Sequence, residues 1–434
     1  MFRFPSFRSL IPRGTLRRDL WVTTADGAAY SVMVGCGETY LPAFTLALGL
    51  GPVAVGLMAS VPILVAATVQ LVTPYAVARL GSNRVWVVVC TAVQAASFLP
   101  FIWWGLYGGA TLWPLLAAAS LYWTAGMAGV PAWNAWMGRL VPERMRTPFF
   151  AQRNRLGQFS VFCGFVIGGI VLQYGEARQA PRAAFAALFA LAGVARLLST
   201  AFLVACREPL PPARDGWSGG RSDARPATIV RLPAQLSATV RDMAAKPAGT
   251  LVAFLCCFMF GTHFAAPFFA PYMLEELRFS YHAFMLVVAT SFLSKALVLP
   301  AVGRFASRAG SPQLLWLACL AITPLALLWL PFANVGYLVG VQVVAGGCWV
   351  AYEFAVALLF FDVVADRERT GVVTIYNLGL AIATVAGASC GGLLLWSLGE
   401  DRRAYAAVFA ASCLLRLAAL PLLWWLRKRT VAAR

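Results

Sequence analysis

The chain reads as an all-α integral membrane protein, with twelve transmembrane helices in two six-helix halves and both termini on the cytoplasmic side. Three observations predict this: the composition, the spacing of the apolar runs, and an internal repeat. Of 434 residues, 60% are hydrophobic and only 12% charged, and the mean hydropathy is +0.74. Soluble domains carry about 25% charged residues, so the solvent for most of this chain is expected to be a bilayer.

A helix of roughly 20 apolar residues crosses about 30 Å of hydrocarbon. Runs of that kind fall near 21–48, 52–74, 85–108, 111–137, 151–174, 183–205, 249–273, 282–303, 314–331, 334–361, 370–397 and 405–426. The first run follows Arg3, Arg8, Arg13, Arg17 and Arg18 and is itself long enough to span, so it reads as a retained helix and not a cleaved signal. The expected units are a tail at 1–20, a first half at 21–206, a linker at 207–246, a second half at 247–427 and a tail at 428–434. The linker, "REPLPPARDGWSGGRSDARP", has the Pro, Gly, Ser and mixed charge of a connecting segment.

Of the 35 lysines and arginines, only Arg178, Arg182, Arg278, Arg402 and Arg403 fall in loops on the side opposite the N-terminus. Under the positive-inside rule this sets the termini in the cytoplasm. The net charge of +18 therefore has anionic lipid head groups as its counter-charge, and no nucleic-acid partner is expected. The ten cysteines form no CxxC pair and no ligand-like spacing with the two histidines, so neither a disulfide framework nor a metal site is expected, and no cofactor.

The repeat appears when the halves are overlaid. "VPERMRT" (141–147) falls on "VADRERT" (364–370) at an offset of 223, which also sets Asn154 on Asn377 and "GFVIGG" (164–169) on "GASCGG" (387–392). Arg196 falls on Arg416 at an offset of 220. Halves with an even helix count share one topology and relate by an axis along the membrane normal.

Over essentially its full length the chain resembles the major facilitator superfamily. That family's loop between helices 2 and 3 reads Gly-x-x-x-Asp-Arg-x-Gly. "GRFASRAG" matches it with Gly303, Arg308 and Gly310, but has Ser307 at the Asp; "PYAVARLG" keeps Arg79 and Gly81, with Pro74 and Ala78 at the Gly and Asp positions. "SVFCGFVIGG" (160–169) is similar to the glycine motif of the antiporter branch, though small residues at this spacing also serve close helix packing. The resemblance implies a multi-pass secondary transporter of a bacterial inner membrane. It would act as a monomer on a small-molecule substrate, driven by a proton or ion gradient, with membrane lipid as its other partner. A non-transporting sensor or a lipid-translocating relative would share the fold. No HExxH or Walker loop stands in the chain to suggest an enzyme.

The candidate pathway residues are the polar groups within the spans. In the first helix Thr24, Ser31, Glu38 and Thr45 recur every seven residues, one face at about 100° per residue. A carboxylate at mid-bilayer avoids lipid, so Glu38 is either a structural acid or a proton or substrate site. Asp26 lies twelve residues away, about 18 Å along a helix, and is expected to hold a basic group such as Arg153 or Arg155. On the fourth helix Tyr122, Gly126, Gly129, Trp133 and Trp136 share a stripe beside Asn134; on the tenth, Gln342, Gly346, Trp349 and Glu353 do the same. The glycines would leave room for a ligand and the aromatics would line it. His263 lies in a seventh helix that Pro267 and Pro271 should loosen. Lys295, the one lysine inside a span, requires an acid partner or an anionic substrate, with Glu353 the first choice and Glu38 the second. Arg196 and Arg416 read as symmetric architecture at the outside of the bundle.

Overall fold

The computed structural model describes residues 14–209, 246–363, 369–399 and 401–432. The linker expected at 207–246 and the repeat segment 364–370 lie largely outside these residues. Among them the chain is helical, with no strand. The helices are α1 (Thr15–Cys36), α2 (Leu41–Ala47), α3 (Gly51–Val69), α4 (Thr73–Leu80), α5 (Asn83–Ala96), α6 (Phe98–Tyr107), α7 (Leu112–Leu140), α8 (Glu143–Ala177) and α9 (Pro181–Ala205). After the linker come α10 (Pro247–His263), α11 (Tyr281–Ala309), α12 (Ser311–Ile322), α13 (Val335–Val363), α14 (Arg369–Ser397) and α15 (Arg402–Ala432).

Among the described residues eleven helical segments are long and apolar enough to cross a membrane, where twelve were expected. The difference lies at the start of the chain. The run 21–48 does not form one helix: α1 stops at Cys36, a 3-10 turn covers Glu38–Tyr40, and α2 restarts at Leu41 with Pro42 in its first turn. Gly37 still bonds the Met33 carbonyl at 2.8 Å, but glycine is a poor helix former, and proline suits a first turn, where its missing N–H costs no hydrogen bond. α1 also carries Arg17, Arg18, Asp19 and Asp26, which lower its hydropathy.

Pro267 and Pro271 act as expected. α10 ends at His263, a 3-10 turn follows at Ala266–Phe268, and a π-helical turn at Tyr272–Glu276 completes the segment.

Glycine contacts carry the repeat into three dimensions. A Cβ on Gly35 would strike the α8 backbone at Val161 and Phe165, and one on Gly164 would lie 2.7 Å from the Val32 carbonyl, so α1 and α8 cross backbone to backbone. At the same offset of 223, a Cβ on Gly387 would lie 2.5 Å from the Phe260 carbonyl and one on Gly391 would strike the Phe264 backbone, so α10 and α14 also cross closely. The glycine motif of 160–169 thus works as packing: Gly168 faces the Tyr40 ring and Gly169 faces Met285.

The hydrophobic core is continuous at one end of the bundle and divided at the other. Near the loops at 49–50, 178–180 and 278–280, a single cluster joins Tyr40, Phe44, Phe165 and Phe185 to Phe268, Tyr272, Phe284 and Met285. Tyr40 stacks on Phe165 at 4.6 Å, Phe165 lies 5.9 Å from Phe284, and Phe185 meets Tyr281 edge-on at 5.9 Å. The His282 amide donates to Gln173 Oε1 across the same seam at 3.2 Å. Toward the opposite end, one cluster is built only from residues 248–423 and two others only from residues before 207.

Candidate functional site

Three polar groupings stand among the described membrane helices. The largest surrounds Asp26. Its neighbour Gly27 has no side chain, and the Arg153 guanidinium occupies the space a Cβ would take. Arg153 therefore lies flat on α1. It donates through Nε to the Thr23 carbonyl at 3.2 Å and pairs through Nη2 with Asp26 Oδ2 at 3.2 Å. The other carboxylate oxygen accepts from Ser199 Oγ at 2.7 Å, and that hydroxyl accepts from Arg196 Nη1 at 2.9 Å. Each guanidinium also faces an aromatic ring: Arg153 lies over Trp133 at 4.6 Å and Arg196 over Tyr30 at 4.8 Å. α1, α5, α7, α8 and α9 enclose a cavity of about 240 Å³ here, lined by these residues with Thr91, Gly129, Val130 and Asn134.

Arg153 is thus the cation at Asp26, and Trp133 and Asn134 line a cavity. Arg196 requires a correction. It is not a symmetric strut at the outside of the bundle; it is 6% exposed and lines the cavity. Arg416 is the strut, bonding the Ile322 carbonyl at 2.9 Å and Ser412 Oγ at 2.7 Å. Sequence reading missed Tyr30, Thr91 and Ser199. The available signal was Ser199 one helical turn from Arg196, a spacing that brings two polar groups to one face.

The second grouping lies between α8, α11 and α13. Lys295 Nζ bonds Glu353 Oε1 at 2.6 Å, and Asn154, Arg155 and Gln158 face this pair across a cavity of about 180 Å³. The rest of the α13 stripe is not part of the lining of this cavity. Gly346 lets α11 approach so closely that a Cβ would meet the Ser291 carbonyl at 2.5 Å, and Trp349 rests edge-on against Tyr352 at 5.6 Å. Gln342 is half-buried on the same helix, and His263 is half-buried at the end of α10.

Glu38 forms the third. It sits in the turn after the α1 break, half-buried, and accepts from Tyr122 Oη at 2.8 Å. The seven-residue stripe around it does not survive the break. Thr24 and Thr45 return their hydroxyls to carbonyls of their own helix, at 2.8 and 2.9 Å, and Ser31 faces Gly157 of α8.

The loop-motif residues are explained by backbone and capping. Gly81 (φ 66°) and Gly310 (φ 84°) end α4 and α11 in left-handed conformations that other residues rarely adopt. Arg79 lies over Tyr75 at 5.6 Å, Arg308 is exposed in the last turn of α11, and Gly303 has open space around it. Where the family has an acid, Ser307 bonds its own helix at the Arg304 carbonyl. An acid does serve this end of the molecule, from another place. Glu208, just after α9, accepts from Ser82 Oγ at 2.5 Å, from the amides of Asn83 (3.0 Å) and Arg84 (3.3 Å), and pairs with Arg139 at 3.1 Å. Partial burial opposes its ionisation, but the hydrogen bonds from Ser82 and the α5 N-terminus outweigh that and hold the carboxyl below the usual range.

Comparison with known proteins agrees with this architecture. The family model "Major Facilitator Superfamily" matches residues 249–434. A crystal structure of a variant of the nucleoside transporter NupG superposes with a TM-score of 0.70 at 13% identity, over 93% of this chain and 99% of that one. A bacterial homologue of the human lysosomal transporter Spinster, inward-facing and unoccupied, gives 0.66 at 15% identity over 100% and 99%. The human organic anion transporter MFSD10 (TETRAN) gives 0.61 at 16% over 95% and 100%. No curated protein sequence matches the chain. In sequence the chain resembles this superfamily across residues 249–434, and its fold is similar along its whole length to those solved structures.

Proposed function

We propose that the chain is a secondary transporter of a bacterial inner membrane, moving a small organic solute by alternating access. Residues 21–206 and 247–427 are the two rocking halves, α1 with α2 supplies the twelfth crossing, and both termini face the cytoplasm. The observation that carries this reading is the core joined at one end and divided at the other. Such a molecule has one seam to open and one cleft to close, as alternating access requires. The basic-residue asymmetry puts the joined end outside, which makes the described state inward-facing.

Coupling to protons is assigned to Glu38. Its partner is a neutral hydroxyl with no cation in contact among the described residues, so it can take up and release a proton without breaking an ion pair. Asp26 is bound to Arg153, so proton uptake there would break an ion pair. The test is counterflow and gradient-driven uptake in proteoliposomes, with substrates drawn from a compound library. Glu38→Gln should abolish accumulation while leaving exchange intact and insensitive to pH. If the variant still concentrates substrate with the wild-type pH profile, Glu38 is a structural acid; if the wild type moves no solute under any gradient, the transport reading fails.

A further inference from the structure

We propose that the cavity within the first half, between α1, α5, α7, α8 and α9, binds the anionic group of a compact organic monoanion, with Arg196 as its principal contact. The inference deepens the transport reading by naming a substrate class, and it rests on that reading only for the word substrate.

Charge is the first argument. The charged side chains facing the cavity are Asp26 from α1, Arg153 from α8 and Arg196 from α9, with the neutral Tyr30 phenol of α1 beside them; α5 and α7 contribute Val87, Thr91, Gly126, Gly129, Trp133 and Asn134, none of them charged. Two guanidinia and one carboxylate leave a single positive charge inside the bundle, where unbalanced charge is costly. One bound anion restores neutrality.

Unused hydrogen-bonding capacity is the second. Asp26 has a partner on each oxygen, Arg153 and Ser199. Arg196 is 6% exposed, yet gives one of its donors to Ser199 and has its Nε buried with no partner. A guanidinium presents five donors in a fork suited to a planar carboxylate, and few buried donors remain unpaired without reason.

Shape is the third. Exposed Tyr30, Val130 and Asn134 form the mouth, and buried Asp26 and Arg196 form the floor. Gly129 leaves the wall open, since a Cβ there would come no closer than 3.5 Å to Cys90. Val87, Val130 and Leu203 supply apolar sides. An anion entering head-first would meet Arg196 at the floor and lay its apolar body along those walls; at about 240 Å³ the space takes one small ring or short chain.

The test is thermal unfolding of the purified full-length chain in a common buffer with sodium benzoate, benzamide or sodium chloride. Benzoate should stabilise saturably and benzamide, of the same shape without the charge, should not. Arg196→Gln should weaken the benzoate response by about tenfold or more, the usual effect of losing a charged hydrogen bond. Gly129→Leu, which fills the cavity and leaves every charge in place, should remove the response even if the arginine variant does not fold. Arg178→Gln, in an exposed loop, should leave it unchanged. The proposal is overturned if Gly129→Leu keeps the full response, if benzamide matches benzoate, if chloride gives the whole effect and benzoate adds nothing, or if no anion stabilises the protein. Binding is read without a gradient. A failure of flux would sink the transport reading and leave the site standing, while a missing benzoate response with intact flux would sink the site alone.

Discussion

Lys295 on α11 and Glu353 on α13 hold one another at 2.6 Å, and neither makes another ion pair among the described residues. Lys295 is 20% and Glu353 51% exposed, so the pair stands at the edge of the divided end of the core, not deep within it.

That position sets the size of a mutational effect. Exposed pairs contribute up to about 1 kcal/mol and fully buried ones lose about 3–5 kcal/mol when one partner goes; this pair should fall near the lower figure. Lys295→Ala and Glu353→Ala should each lower the midpoint of thermal unfolding in detergent by a few degrees, with Lys295→Ala the worse for flux. The double variant should recover part of the loss. Additive single effects would mean that the two residues act independently.

Asp26→Asn and Glu38→Gln should separate by stability before any transport is measured. The first strips the counter-charge from Arg153 inside the bundle and should cost about 3–5 kcal/mol, seen as poor yield or a steep fall in unfolding temperature. The second keeps an acceptor for Tyr122 and should move the midpoint by no more than a few degrees. Equal losses would make both acids structural.

Glu208 yields a pH prediction. Its carboxyl is held below the usual range in the folded chain, so its contribution is fully present above the unfolded value of about 4.3 and is lost as pH falls through the lower folded value. Glu208→Gln should therefore unfold several degrees below wild type at pH 7. Titrating downward from about pH 4.3 should close the gap. A gap independent of pH over that range would assign the stabilisation to shape and not to charge.

Two glycines should respond oppositely to alanine. Gly164→Ala brings a methyl within 2.7 Å of the Val32 carbonyl and should destabilise by about 1–3 kcal/mol, the range for overpacked sites. Gly303→Ala meets nothing within 4 Å and, being mid-helix, should be neutral or raise the unfolding temperature. Lost flux at unchanged stability in Gly303→Ala would reveal a contact made only in another conformation, and a large loss of stability would overturn the prediction.

What the sequence made legible was whatever depends on length, sign and isolation. Lys295 and Glu353 are lone charges in apolar spans, and no other arrangement lets both avoid lipid so simply. The Asp26–Arg153 pair was legible for the same reason. Two prolines four residues apart announced the break after His263. Periodicity failed where it assumed a continuous helix: Gly37 resets the register, so Thr24, Ser31, Glu38 and Thr45 do not form one face. It failed again at Arg196, because a residue's face is readable from spacing but the neighbour packed against that face is not. Gly346 was read as leaving room when it brings α11 closer, and spacing alone does not separate the two.

The aromatic seam of Tyr40, Phe165, Phe185, Tyr281 and Phe284 gives the proposed transport cycle a calorimetric signature. Opening it wets ring surface that is dry in the described state, and hydrating apolar surface raises the heat capacity. Opening of the seam then has an enthalpy that climbs with temperature, and cooling weakens the adhesion that keeps it shut. Turnover plotted against reciprocal temperature should bend where opening limits the rate, and replacing Phe165 or Phe284 with leucine should straighten it.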